Sequence, residues 1–218
     1  MSHLGQTALI TGASSGVGAA TALKLAQLGI NVVVNYNSSL SGAQAVVKNI
    51  TDLGAQAIAV QGDVSQEKDC RRIVEKTIER FGRLDILINN AGTTTFVPHH
   101  DLEGLTEDIW HQTLGVNLMG AFFMCRAAVP YLREAGSGVV VMTSSIASVT
   151  ANGSSIAYCA SKAGMNSLTK TLAKTLGSDG IRVNAVLPGL IDGDWAFNTW
   201  GGGDEGQYGD LKAHFTDQ

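Results

Sequence analysis

Residues 7–18 read Thr7-Ala8-Leu9-Ile10-Thr11-Gly12-Ala13-Ser14-Ser15-Gly16-Val17-Gly18. The first five are a short apolar run of the kind that forms a strand buried on both faces. Gly12 then permits a tight turn out of that strand, because glycine alone takes positive φ freely. From Gly16 onward, Val17, Ala20, Leu23, Leu25 and Leu28 recur at near-helical spacing up to Gly29. Strand, glycine turn and helix make a βα unit. The opening of such a helix offers unpaired N–H groups and a partial positive charge to an anion. Gly16 and Gly18 leave the backbone bare where a phosphate and the sheet must come close. The spacing is not G-x-G-x-x-G, so that fingerprint does not apply. Taken alone, the segment also reads as a glycine turn with no ligand.

The unit repeats. Further apolar runs lie at 31–36 (NVVVNY), 56–61 (QAIAVQ), 84–89 (LDILIN), 138–143 (GVVVMT) and 181–187 (IRVNAVL). Helical patterns fill 16–29, 40–54, 66–82 and 154–177, with a pair of helices across 102–135. Gly29, Gly54, Gly82 and Gly177 are read as helix stops. This alternation implies right-handed crossovers and a single doubly wound, Rossmann-type α/β domain, with helices on both faces of a mainly parallel sheet. Ligands of such sheets bind outside the carboxyl ends of the strands. The domain is expected over 1–192. Residues 193–218, with Gly201-Gly202-Gly203, read as an irregular tail or a partial substrate loop.

Composition narrows the function. Of 218 residues, 44% are hydrophobic and 16% charged, which excludes a disordered chain. Fifteen Lys+Arg against 19 Asp+Glu leave a net charge of −4, so no nucleic-acid partner is expected. No apolar run nears the ~18–20 residues of a membrane span, and no signal segment opens the chain. Cys70, Cys125 and Cys159 form neither a disulfide framework nor a metal pair. A cytoplasmic protein with no membrane partner is the expectation. His99-His100-Asp101, with His111, lacks a further ligand at convincing spacing, and Asp101 or Thr106 reads as a helix cap. No metal is expected.

In a dinucleotide site, selectivity is set at the end of the second strand, about 20 residues past the glycine turn, where an acid favours NAD. Here the chain reads Asn35-Tyr36-Asn37-Ser38-Ser39, with no Asp or Glu before Asp52. Nothing there would repel a 2′-phosphate, and Asn37, Ser38 and Ser15 offer neutral donors, so NADP is expected, with NAD as the alternative. Further on, Tyr158-Cys159-Ala160-Ser161-Lys162 places a phenol and an ammonium at i and i+4 on one helix face. A free tyrosine titrates near 10, and a nearby positive charge lowers that value toward neutrality. By itself such a pair is a common surface pattern.

Together, TGASSGVG at 11–18, Asp63 in GDVS, NNAG at 89–92, Asn117 in GVNLMG, Ser145 in TSS, YCASK at 158–162 and VLPG at 186–189 resemble the short-chain dehydrogenase/reductase family, in order and in interval. The resemblance covers about 5–192, and 3-oxoacyl-carrier-protein reductases look nearest. It implies that Tyr158 is the acid of ketone reduction and the base of alcohol oxidation. Lys162 would hold the nicotinamide ribose and lower the tyrosine pKa, and Ser145 would bind the substrate oxygen. Asn117 would hold a water linking Lys162 to solvent. It assigns the cofactor to Gly12, Ser14, Ser15, Gly16, Val17, Gly18 and Asn37, with Asp63 and Val64 at the adenine. Asn90, Ala91 and Gly92 would line it, Tyr158 and Lys162 would hold its ribose, and Pro188, Gly189 and Ile191 would meet the nicotinamide. A carbonyl or alcohol substrate and a homo-oligomer, dimer or tetramer, follow from the same likeness.

The chain departs from the family pattern at two places. Gly193 stands where a Thr usually bonds the carboxamide, so that contact falls to backbone or is lost. The helix–strand pattern that usually follows residue 192 is not visible, so the usual last strand is expected to be missing. Trp195, Phe197, Trp200 and Tyr208 either cap an apolar substrate pocket or pack on the open sheet edge. The alternative to a working reductase is therefore a cofactor-binding relative, impaired or regulatory, without a complete substrate lid.

Overall fold

The computed structural model describes residues 3–193 and 196–197. Trp195, Trp200, Tyr208 and the glycine cluster lie outside them. Among the described residues six strands form one parallel sheet: β1 (Thr7–Ile10), β2 (Asn31–Tyr36), β3 (Ala57–Gln61), β4 (Ile86–Asn89), β5 (Val139–Thr143) and β6 (Arg182–Val186). Their order across the sheet is β3-β2-β1-β4-β5-β6, so the chain switches direction between β1 and β4. Every pairing is parallel, as crossover connections require. The doubly wound α/β reading holds, and all six runs are strands.

Helices α1 (Gly16–Gln27) and α2 (Leu40–Asp52) pack on one face of the sheet. Ala22, Ala26, Val46 and Ile50 meet Ile10, Val32, Val34 and Ile88 there. The opposite face carries α3 (Glu67–Phe81), α5 (Ala121–Glu134) and α7 (Ile156–Leu176), whose Ile73, Met124, Leu132 and Met165 cover Leu9, Val33, Leu87 and Val140. Buried Asp85 fastens the edges of this core. It accepts the Thr7 N–H at 2.8 Å and binds Arg83 through both oxygens, at 2.9 and 2.5 Å.

The structure corrects three readings. The expected helix pair across 102–135 is one continuous run: α4 (Glu107–Leu114), a π-helical turn (Gly115–Gly120) and α5. At 28 residues, with an 18-residue stretch of mean hydropathy 1.2, the run is long and apolar enough to pass for a membrane span, yet Met124, Cys125, Ala128 and Leu132 belong to the core. Gly177 keeps right-handed geometry and continues into a 3-10 turn, and Gly180, at φ +73°, makes the stop. Lastly, not every strand is buried on both faces. Val183 is buried on β6, but Arg182, Asn184 and Val186 are exposed, because among the described residues α1 and α2 cover that side only as far as β4 and part of β5. A short helix, α6 (Ala147–Thr150), has no counterpart in the sequence pattern.

Candidate active site

The singled-out motifs gather at the carboxyl ends of the strands, on both sides of the β1/β4 switch point, where open α/β sheets bind ligands. The glycine turn leaves β1 with Gly12 at φ +60°, and a Cβ there would stand 2.9 Å from Ala91 Cα. Gly18 is equally constrained, since a Cβ would meet Asn90 Nδ2 and Gly12 O at 2.6 Å. Over Gly16 the space is open. Ser15 caps α1 without a side-chain hydrogen bond, so the first N–H groups of that helix stay available to an anion. Val17 and Ser15 are exposed beside them, with Ser14 half-buried.

The turn is braced by residues that sequence reasoning did not assign. Thr11 Oγ1 accepts the N–H groups of Asn90 and Ala91, both at 3.0 Å. Asn35, 1% exposed at the end of β2, accepts the Gly12 N–H at 3.3 Å and donates to the carbonyls of Val60 and Gly62 at 3.2 and 3.1 Å. One amide thus ties the turn to two strand ends. A lone Asn at the end of the apolar run VVVNY was the signal. Asn90 also turns its side chain inward, donating to Thr11 O at 3.0 Å and Gly12 O at 3.1 Å. Its side chain therefore shapes the turn.

Asp63 forms an Asx turn, in which Oδ1 accepts the Ser65 N–H at 2.9 Å. Its own N–H is held by Asp69 at 2.9 Å. Val64 is buried under Gly120, where a Cβ would come within 2.9 Å of it. Asn37, Ser38 and Ser39 are exposed at the end of β2, and Ser39 accepts the Gly42 N–H at the start of α2.

On the other half of the sheet, α7 brings up Tyr158 and Lys162, 8% and 3% exposed. Ser155 caps that helix by accepting the Tyr158 N–H at 3.2 Å. Lys162 Nζ donates to Thr143 O at 2.7 Å and lies 5.7 Å from the Tyr158 ring centre. A Cβ at Gly92 would stand 3.7 Å from that ammonium, so glycine keeps the approach open. Ser145, following β5, lies close enough to the Tyr158 phenol to pull its pKa down.

Burial acts on both ionisable groups. It lowers Lys162 from the ordinary 10.5 to about 8, and it raises Tyr158 above its ordinary value of 10. The rise comes from desolvation and Cys159, against Ser145; Lys162, itself desolvated and bonded to a carbonyl, is not among its causes.

Asn117 sits in the π turn, fully buried. Its Oδ1 accepts the Thr93 N–H at 2.8 Å, and its amide donates to Thr93 O and Ser161 Oγ, both at 3.0 Å. Both of its N–H groups are committed to these partners. Ser161 Oγ donates to the backbone carbonyl of Tyr158 at 2.7 Å. Pro188 O accepts the Ile146 N–H at 3.0 Å, which lays 186–189 beside the Ser145 segment, and Ile191 is exposed beyond it.

Other candidates are absorbed by structure. His99 Nε2 bonds Gly153 O at 3.0 Å, and Asp101 accepts the Gly104 N–H at 2.8 Å. Among the described residues no group of three His, Cys, Asp or Glu side chains is placed to hold a metal. All three cysteines are free and buried, and burial raises the Cys70 and Cys125 thiols to about 12.

A profile of the short chain dehydrogenase family matches residues 6–200. A 3-oxoacyl-[acyl-carrier-protein] reductase of Synechocystis sp. is 41% identical over 195 residues, covering 88% of this chain and 77% of that protein. An L-rhamnose 1-dehydrogenase (NAD(P)(+)) of Sphingomonas sp. is 41% identical over 188 residues, covering 86% and 73%. The crystal structure of an NAD+-bound xylitol dehydrogenase superposes with a TM-score of 0.84 at 29% identity, covering 91% of this chain and 75% of that one.

Proposed function

The chain belongs to the short-chain dehydrogenase family, and on that premise we propose that this oxidoreductase is an NADP-preferring carbonyl reductase acting on ketones and their secondary alcohols. The observation that carries the proposal is the convergence of Ser145, Tyr158 and Lys162 beside an open glycine turn. The residues fit a dinucleotide. The space over Gly16 is open, α1 opens without a side-chain cap, and Gly92 keeps the space before Lys162 clear.

When bound, the nicotinamide supplies the hydride, and the ketone carbon receives it. The chain's own groups do the rest. Ser145 donates a hydrogen bond to the carbonyl oxygen as negative charge develops there. Tyr158 gives its phenolic proton to that oxygen, which leaves a secondary alcohol and a phenolate; alcohol oxidation runs the same transfer in reverse. Burial raises the Tyr158 pKa, which keeps the phenol protonated at neutral pH and ready to act as an acid. Lys162, still largely charged at neutral pH with its pKa near 8, stabilises the phenolate and binds the ribose hydroxyls. Asn117 fixes the Thr93 backbone and, through Ser161, the turn of α7 that carries Tyr158.

The turn residues Gly12, Ser14, Ser15, Gly16, Val17 and Gly18 would hold the pyrophosphate. Asp63, Val64 and the 90–92 backbone would line the adenosine side, and Pro188, Gly189 and Ile191 the nicotinamide side. Residues 35–51 contain no carboxylate, which supports NADP. Lys48 is paired with Asp52 at 2.6 Å, leaving Asn37, Ser38 and Ser15 as the donors for a 2′-phosphate. Exposed Phe96, Ile146, Val149 and Ile191 near the catalytic groups support an apolar substrate. Exposed Met119 and Phe122 on the 107–134 run support a homo-oligomer.

The test is a fluorescence titration with NADPH and NADH, followed by ketone-dependent NADPH oxidation in wild type and Tyr158→Phe. Loss of roughly 10²-fold or more in turnover with NADPH binding retained is the expected result. Turnover that survives Tyr158→Phe refutes the assignment.

A further inference from the structure

Asn166 continues the row of Tyr158 and Lys162 on α7, one helical turn further on. Its amide nitrogen lies 2.7 Å from Ser148 Oγ on α6, and Ser148 Oγ lies 2.5 Å from the carbonyl oxygen of Ser145. That carbonyl also accepts the Ser148 N–H at 3.0 Å. The direction of the chain is forced. A hydroxyl has one proton and a carbonyl can only accept, so Ser148 donates to Ser145 and Asn166 must supply an N–H to Ser148.

The arrangement costs Asn166 something. Its Oδ1 is buried with no hydrogen-bond partner among the described residues, a penalty that an aliphatic side chain would not carry. What the amide gains is the bond to Ser148. Helix α6 is four residues long, too short to hold its own geometry, and it follows directly on Ser145. Its place is set by its ties. Ser145 Oγ accepts the Ala147 N–H at 3.2 Å, Ile146 N–H bonds Pro188 O, and Ser148 reaches back to α7.

We propose that Asn166 is a positioning residue for Ser145: the chain Asn166–Ser148–Ser145 ties the carbonyl-binding hydroxyl to the same helix that carries Tyr158 and Lys162. The inference rests on the reading of Ser145 and Tyr158 as the groups that meet the ketone oxygen. Small displacements of a catalytic group are expensive, up to about 10²-fold for roughly 1 Å. Removing the tie should lower kcat without touching the glycine turn on the far half of the sheet.

The experiment compares wild type, Asn166→Leu, Ser148→Ala and the double variant, with Tyr158→Phe and Ser145→Ala alongside. The readouts are kcat and KM for a ketone, Kd for NADPH, and deuterium uptake of a peptide over 144–150. Each single variant is expected to lose about tenfold in kcat while its NADPH Kd stays within about twofold. The double variant should be no worse than either single one, and uptake over 144–150 should rise. In a Ser145→Ala background Asn166→Leu should have no further effect, which a general loss of stability would not reproduce. Asn166→Leu with wild-type kcat, or losses that multiply in the double variant or in the Ser145→Ala background, overturns the inference. Those results, with turnover still abolished in Tyr158→Phe, leave the reductase reading standing. A wild type without ketone turnover, or a fully active Tyr158→Phe, defeats that reading and the inference with it.

Discussion

Lys162→Met should change how stability depends on pH. Lys162 is 3% exposed, and burial lowers its pKa from 10.5 to about 8. A fall of that size corresponds to about 3.4 kcal/mol of preference for the neutral form in the fold. Below pH about 8 the amine is charged in both folded and unfolded chains, and the full cost of burying it stands. Between about 8 and about 10.5 the unfolded chain still binds the proton and the folded one has released it, so stability rises with pH. Above that range the cost is gone. Methionine keeps the unbranched stem and cannot titrate. Wild type should therefore gain about 2.5 kcal/mol on Lys162→Met between about pH 7 and about pH 10. The offset at neutral pH is less informative, because the variant also loses the bond to Thr143 O at 2.7 Å. Urea unfolding of the cofactor-free proteins at matched ionic strength, in steps across that range, measures the difference. Parallel stability curves would refute the argument, since they would mean that the ammonium titrates as if in water.

Gly18→Ala places a Cβ 2.6 Å from Asn90 Nδ2 and Gly12 O, so a loss of about 1–3 kcal/mol and weaker NADPH binding are expected, read by urea melts and fluorescence titration. Asp85→Ala strands the buried Thr7 N–H and should cost about 1–3 kcal/mol, while NADPH affinity in the folded protein is unchanged. Asn37→Asp puts a carboxylate at the end of β2 and should move the NADPH-to-NADH affinity ratio about tenfold toward NADH in paired titrations. An unchanged ratio would remove Asn37 from the 2′-phosphate site.

The strands were legible because Val and Ile runs such as NVVVNY serve one purpose, burial in a parallel sheet. The candidate catalytic and cofactor motifs stood out because each sits in a turn whose glycines, or on a helix whose spacing, narrow the choices. What stayed hidden depends on distant partners. The inserted residue of the π turn that carries Asn117 has no signature in GVNLMG. Asn35 stood out as a polar residue in an apolar run, but its partners Gly12, Val60 and Gly62 come from three separate segments. Asn166 meets Ser148 on a helix too short to leave a periodic trace. For Tyr158 the sequence displays the lysine four residues on but not the burial, and burial sets the sign of the shift. The bare side of β6 follows from where α1 and α2 end, which no local pattern in RVNAV records.

The 21 residues of α7 make Tyr158 and Lys162 two marks on a rigid ruler. Their separation along the axis, about 6 Å for one helical turn, cannot change unless the helix itself unwinds. Ser145 is mounted differently, on a strand end and a single turn of helix, and works as an adjustable stop against that ruler. The two parts differ in what can be altered without ruin. Reshaping the cleft has its freedom in 145–155, where a shifted turn re-aims one hydroxyl. The Tyr158–Lys162 pair offers no such freedom.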